Sequence, residues 1–188
     1  MLSDLNVTFE IGNANLKREA NNGLDVSLRH QSKRLRGEFN YFYYRISDFV
    51  YLAPTGRIQD GFPEADYAQH NARFMGTEAK LDYALHPNFW LNLGADTVNA
   101  QLLNPNTYLP RIPPVRGRLG FEARYRSLSV QPELQLTNAQ RNVFPIETPT
   151  AGYAVANVKG TYTLARQHSL HLISAELFNA GNALYRNH

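Results

Sequence analysis

The chain contains no cysteine, a single tryptophan and only two methionines. Without thiols, neither a disulfide framework nor a thiolate metal centre is open to it. Long apolar runs are missing too: no stretch approaches the ~18 consecutive apolar residues a membrane helix needs, and mean hydropathy is −0.43. Helical membrane spanning is therefore excluded. There is no large excess of one charge. The formal net charge is +3, and the arginines sit among acids rather than in a basic stripe, which argues against a nucleic-acid partner. A Gly-rich phosphate loop, an H-E-x-x-H helix and a nucleophile elbow are all absent. The expectation is a protein that is not an enzyme and has no cofactor. The start, Met1-Leu2-Ser3-Asp4, has neither the basic opening nor the apolar core of a secretory signal.

What is present is alternation. In Val115–Arg126 the odd positions (Val115, Gly117, Leu119, Phe121, Ala123, Tyr125) are apolar or small. The even positions (Arg116, Arg118, Gly120, Glu122, Arg124, Arg126) are charged except for one glycine. Side chains on a strand switch faces with period two, so this segment has one greasy and one ionic face. Its length matches the ~9–11 residues of a membrane-spanning strand better than the ~5–6 of a soluble sheet.

The pattern recurs along the chain. Residues 1–21 read as a loop, and alternation begins at Asn22 with Leu24, Val26 and Leu28 against Asp25, Ser27 and Arg29. A second strand is expected from Leu35 to about Tyr51, blurring into aromatics at Tyr41-Phe42-Tyr43-Tyr44, a cluster suited to an interfacial girdle. A long polar connection, Ala53–Asn71, follows, with strands expected at Arg73–Leu85 and from Phe89 to about Ala100. Beyond a second connection, Leu103–Pro114, come Val115–Arg126 and a strand over Val130–Leu136. Pro132 in the latter cannot donate to the ladder, and a bulge is expected to absorb it. A third connection, Asn142–Gly152, precedes Tyr153–Leu164 and a last strand from Leu170 to about Phe178. Short and long connections alternate, as in up-and-down outer-membrane barrels. Tyr83, Phe89 and Tyr125 fall beside the short turns, where a second girdle would lie.

A sheet in lipid must close on itself, because hydrocarbon cannot hydrogen-bond a backbone. The polar face repeatedly carries full charges, such as Arg36, Glu38, Lys80, Asp96 and Arg118, which a wide, wet lumen can hold. The fold expected is all-β: an antiparallel up-and-down transmembrane β-barrel, partial, with about eight strands of a larger barrel.

Four segments carry a family resemblance. They are F-E-I-G-N-A-N-L-K-R-E (9–19) followed by N-N-G-L-D-V-S-L-R, E-F-N-Y-F-Y-Y-R-I-S-D-F-V-Y (38–51), A-R-F-M-G-T-E-A (72–79) and L-F-N-A-G-N-A-L-Y-R-N-H (177–188). In this order they resemble the C-terminal β-barrel of TonB-dependent outer-membrane receptors. Ala14 departs slightly from the G-N-P-x-L-K-x-E run typical there. The resemblance implies a 22-stranded barrel in the outer membrane of Gram-negative bacteria, plugged by an N-terminal domain. It implies active uptake of a scarce nutrient, a metal ion or metal chelate, powered by the inner-membrane TonB complex. Residues 1–188 would be the C-terminal portion of such a barrel, with the plug domain and final strand absent. L-P-R-I-P-P-V-R (109–116), I-E-T-P-T-A-G-Y (146–153) and the ending Y-R-N-H resemble the zinc-uptake branch. The alternatives are a fragment of a passive porin- or adhesin-type barrel and a soluble all-β binding protein.

For metal capture the candidates are Glu64, Asp66 and His70, since imidazole and carboxylates suit zinc where thiolates are missing. The bland alternative is a solvated polar loop. His168 and His171 lie at a short turn, on the wrong side for capture.

Overall fold

The computed structural model describes residues 8–186, and all the regular structure in it is β. The strands are β1 (Phe9–Ile11), β2 (Ala20–Gln31), β3 (Leu35–Gln59), β4 (Phe62–His86) and β5 (Phe89–Leu103). They continue with β6 (Asn106–Tyr108), β7 (Arg116–Tyr125), β8 (Leu128–Thr137), β9 (Tyr153–Arg166) and β10 (Ser169–Leu177). Eight of them form one meander in the order β10-β9-β8-β7-β5-β4-β3-β2, each antiparallel to its neighbours. Short β1 pairs parallel with β4, and β6 folds back on β5.

Register sorts the side chains into the two faces that the alternation anticipated. On one, Leu28, Phe39, Leu81, Leu93, Leu119, Leu136 and Val158 are all exposed. Residues of this size left bare on a regular sheet mark a surface whose solvent is not water. Tyr83, Phe89 and Tyr125 are exposed on that face at the short-turn end, and Phe89 stacks on Phe121 at 5.7 Å. They form the expected lower girdle.

The opposite face, facing inward, carries the ions. The aromatic quartet divides between the two. Tyr41 and Tyr43 lie opposite Val26 and Leu24 on the outward face, whereas Phe42 and Tyr44 turn inward and stack at 5.4 Å. The alternation therefore persists through the quartet, and only half of it serves a girdle. Each inward ring covers a glycine: a Cβ on Gly23 would lie 2.5 Å from Tyr44, and one on Gly76 2.5 Å from Phe42 and 2.4 Å from the Thr97 carbonyl oxygen. Tyr44 also donates its hydroxyl to Asp25 at 2.5 Å.

The expected long connection Ala53–Asn71 is instead a tall hairpin. β3 and β4, 25 residues each, continue through it to a two-residue turn at Asp60 and Gly61. Both turn residues have positive φ, 53° and 84°, the type I′ geometry that Asp-Gly favours. Pro54 and Pro63 are tolerated because β2 leaves β3 at Ser47 and β5 leaves β4 at Ala72, so neither proline faces a wall strand on the outer side of the hairpin and a missing donor is harmless. Bulges between Ile46 and Phe49, with Asp48 at φ 54°, and between Pro54 and Ile58, with Gly56 at φ 77°, break the register. The first adds a residue and so reverses which β3 side chains face inward: Arg36 to Tyr44 by even numbers below it, Phe49 and Tyr51 by odd numbers above.

Three smaller expectations also change. The 1–21 stretch contains β1, and β2 begins at Ala20 rather than Asn22. The connection 103–114 contains β6. Pro132 causes no bulge: pairs Gly120–Glu133 and Ala123–Val130 keep one register, with an unpaired gap of two residues between them on the β7 side. The gap leaves the proline without an amide to supply.

The buried core is small and sits on the inward face at the long-loop end. Ala72, Ala100, Leu102 and Leu109 pack there with Phe49, Tyr51, Phe74 and Ile112.

The two glycine environments give a direct test. Gly76→Ala should destabilise the refolded barrel by ~1–3 kcal/mol, since ring and backbone must both move, whereas Gly117→Ala, with nothing within 4 Å, should change stability by less than ~0.5 kcal/mol. Urea unfolding in liposomes measures both, and equal effects would refute the ring-over-glycine packing.

Candidate functional site: the inner wall and its mouth

Across the inward face, charged residues from neighbouring strands fall into rows. Arg29, Glu38 and Lys80 are in register, as are Glu78, Asp96 and Arg116. Arg29 donates to Glu38 at 3.2 Å and Asn40 to the same oxygen at 3.0 Å. Arg116 Nε donates to Asp96 at 2.8 Å, and Asn92 to Asp82 at 2.7 Å. Lower down, Arg36 sits over the Trp90 ring at 4.8 Å, and Arg124 makes a two-pronged pair with Glu122 at 2.6 and 2.9 Å. Exposed pairs of this kind add little stability, because water and salt screen them. They are better understood as the lining of a wet interior than as the source of stability.

At the mouth, segments that read as loops are fastened down. β1 adds to the β4 edge, with Tyr67 donating to Glu10 at 2.7 Å. Below it, Gln69 accepts from the Lys17 amide at 2.6 Å and donates to the Lys17 carbonyl at 2.7 Å, and Glu19 accepts from the Val50 amide at 2.6 Å. The β5–β7 and β8–β9 loops fold over the inward face of the tall hairpin. The Leu109 amide donates to the Ala100 carbonyl at 3.0 Å, and Phe144 meets the Tyr51 ring edge-on at 6.3 Å. Glu147 ties the two loops together, accepting from the amides of Arg111 at 2.8 Å and Phe144 at 3.1 Å. Gln140 donates to the Ile112 carbonyl at 2.7 Å. The loops form a hood over one side of the opening.

The candidate ligands all lie on β4 above the lower bulge, on one face. Glu64 is buried and held by Arg57, whose Nε donates at 2.6 Å and whose Nη2 forms an ion pair with the same oxygen. Thr55 donates to it as well, at 2.9 Å. The hydrogen bond from Arg57 holds the Glu64 carboxyl below its ordinary value. Burial acts the other way, and Thr55 adds to the lowering. His70 Nδ1 shares a hydrogen bond with Tyr51 Oη at 3.0 Å. Asp66, opposite Ala53 and Ile11, is only partly buried. Four residues of extended strand separate Asp66 from His70, ~13 Å, too far for one ion. Among the described residues no three His, Asp or Glu side chains gather into a metal-holding group. His168 lies in the short turn before β10, and His171 in β10 is bonded to Ser169 at 3.0 Å. Sequence reasoning missed the hood. The signal available was a set of large apolar residues (Leu109, Ile112, Phe144, Ile146) inside otherwise polar, proline-rich connections.

A meander with an apolar outward face, an ionic inward face and all irregular segments at one end is part of the wall of a large transmembrane β-barrel. Residues 2–180 match the family model described as TonB dependent receptor-like, beta-barrel, and the chain belongs to that family. It is a family of transporters in the outer membrane of Gram-negative bacteria, not of enzymes. Solved structures agree on the fold. A structure titled copper transporter OprC superposes with a TM-score of 0.84 at 20% identity, covering 93% of this chain and 28% of the other. The FrpB iron transporter from Neisseria meningitidis gives 0.67 at 10% identity, over 95% and 29%. BauA, the ferric preacinetobactin receptor from Acinetobacter baumannii, gives 0.63 at 15% identity, over 89% and 26%. The chain thus spans between a quarter and a third of the length of these proteins.

The Arg57–Glu64 pair predicts a pH response at the hairpin tip. Because the folded-state pKa of Glu64 is depressed, its contribution is present above the unfolded carboxyl value near 4.5 and fades as pH falls through the folded value. Glu64→Gln should therefore speed amide exchange around residues 55–65 at pH 7, with the difference from the parent vanishing in acid. A difference of the same size at low pH would contradict the assignment.

Proposed function

We propose that the whole protein is an active uptake receptor for a scarce metal ion or metal chelate. On this reading a plug domain outside residues 1–188 fills the lumen, a further strand closes the barrel, and the inner-membrane TonB complex supplies the energy. The observation that supports it best is the inner wall. Its charged rows suit a wide aqueous interior holding a polar plug, and a small sealed barrel would have to pair every one of them in a dry core.

The cargo class draws on the similar structures, whose titles name copper, iron and a ferric chelate. Those names lend no support to the narrower zinc reading. At the mouth, Glu64 serves the hairpin through Arg57. Asp66 and His70 are the residues of the extension assigned to first contact with cargo, as two separate points rather than one ion site.

In a strain deleted for the gene and starved of metal, the complete receptor should restore saturable metal uptake, and deletion of TonB should abolish that restoration. Asp66→Ala combined with His70→Ala should weaken cargo affinity by about tenfold. Uptake indifferent to TonB would overturn the transport reading, and unchanged affinity in the double variant would remove those residues from the cargo surface.

A further inference from the structure

On the outward face, one row above Tyr43 and Met75, β3 and β4 set Arg45 directly opposite Arg73. Like charges facing each other across a ladder destabilise it unless something lies between them. No ion pair joins either arginine to a carboxylate among the described residues. Arg45 is exposed. Arg73 donates through Nη2 to Gln101 at 2.6 Å, while its Nε is buried without a partner. The flanking residues of the row, Asn22 and Gln101, are uncharged. Asp48, the nearest acid along β3, lies in the bulge above, and the contacts it makes there are through its backbone amide and carbonyl.

Height along the wall places this pair. From Tyr83 at the lower girdle to Arg73 is ten residues of β4, ~33 Å of strand. At a tilt of ~40° that is ~25 Å of rise, the thickness of the apolar band of such a barrel. The arginines therefore stand where hydrocarbon ends and headgroups begin. Beneath them the outward face holds an apolar groove of about 500 Å³, lined by the small residues Gly37, Ala79, Ala95 and Gly117 between the larger Phe39 and Leu119.

We propose that Arg45 and Arg73 together bind a phosphate group of an outer-leaflet lipid, whose acyl chain runs down the outward face past Tyr43 and Met75 toward the groove. Planar guanidinium forks match phosphate oxygens two at a time. A phosphate between the two converts their repulsion into shared attraction. The inference rests on the outward assignment of this face, not on what the receptor carries.

The complete receptor, refolded in uncharged micelles, is titrated with phosphorylated lipid A, with its dephosphorylated form and with inorganic phosphate. Phosphorylated lipid A should bind and raise thermal stability, the dephosphorylated form should bind about tenfold more weakly, and inorganic phosphate should give only a small part of the effect. Arg45→Gln with Arg73→Gln should lose about tenfold in lipid affinity yet be no less stable than the parent in lipid-free micelles, because the repulsion is gone. Arg45→Lys should keep part of the affinity. Equal lipid binding by parent and double variant, or by both lipid forms, would overturn the proposal. So would inorganic phosphate reproducing the whole effect, which would make this a small-anion site.

Discussion

Hydrocarbon offers a peptide bond no hydrogen-bond partner, and every other feature of this chain follows from that constraint. Each strand of the wall must be paired on both sides, so the chain runs as a meander in which every strand of the eight lies beside its predecessor. Each strand must also show lipid one face and the interior the other, which is why Leu119 and Arg118 can be neighbours in sequence and meet different solvents. The hydrophobic term acts on the outside of this sheet instead of gathering a core. The buried cluster around Leu102 is correspondingly small and stands above the membrane.

At the mouth the constraint changes, because water is available on every side and folding must be secured by packing and specific hydrogen bonds. The tall hairpin supplies a platform. Two connections lie across it, sealed by Leu109, Ile112 and Phe144 and stitched by Glu147 and Gln140. A hood held by both apolar contact and bonds between loops gives the mouth a shaped rim, and the ionic rows begin below it. Arg45 and Arg73 mark the same level on the outer surface.

Much of the wall was legible in the sequence, because period-two alternation is a local signal and membrane strands are long enough to show it. The 115–126 segment needed nothing beyond its own residues. The tall hairpin was not legible: Pro54, Gly56, Gly61 and Pro63 are turn-forming residues, and only the partner strand shows that two of them sit on an edge, one in a bulge and one in a tight turn. The face reversal at Asp48 was hidden for the same reason, since a bulge is defined by what lies opposite. Glu64 looked free to bind a metal because Arg57 is remote until the Asp60–Gly61 turn brings it across. Local chemistry reads well, and pairings created by folding do not.

The two-faced wall depends on which side of the sheet meets lipid. Residues 1–188 hold no cysteine, so single cysteines placed in turn at positions 116 to 125 of the reconstituted receptor, with any cysteine elsewhere in it replaced, report that directly. Cysteines at 117, 119, 121 and 123 should resist a water-soluble maleimide and react with a membrane-dissolved one, while those at 116, 118, 120 and 122 should show the reverse. Uniform reactivity along the segment, or the opposite alternation, would contradict the two-faced wall and everything built on it.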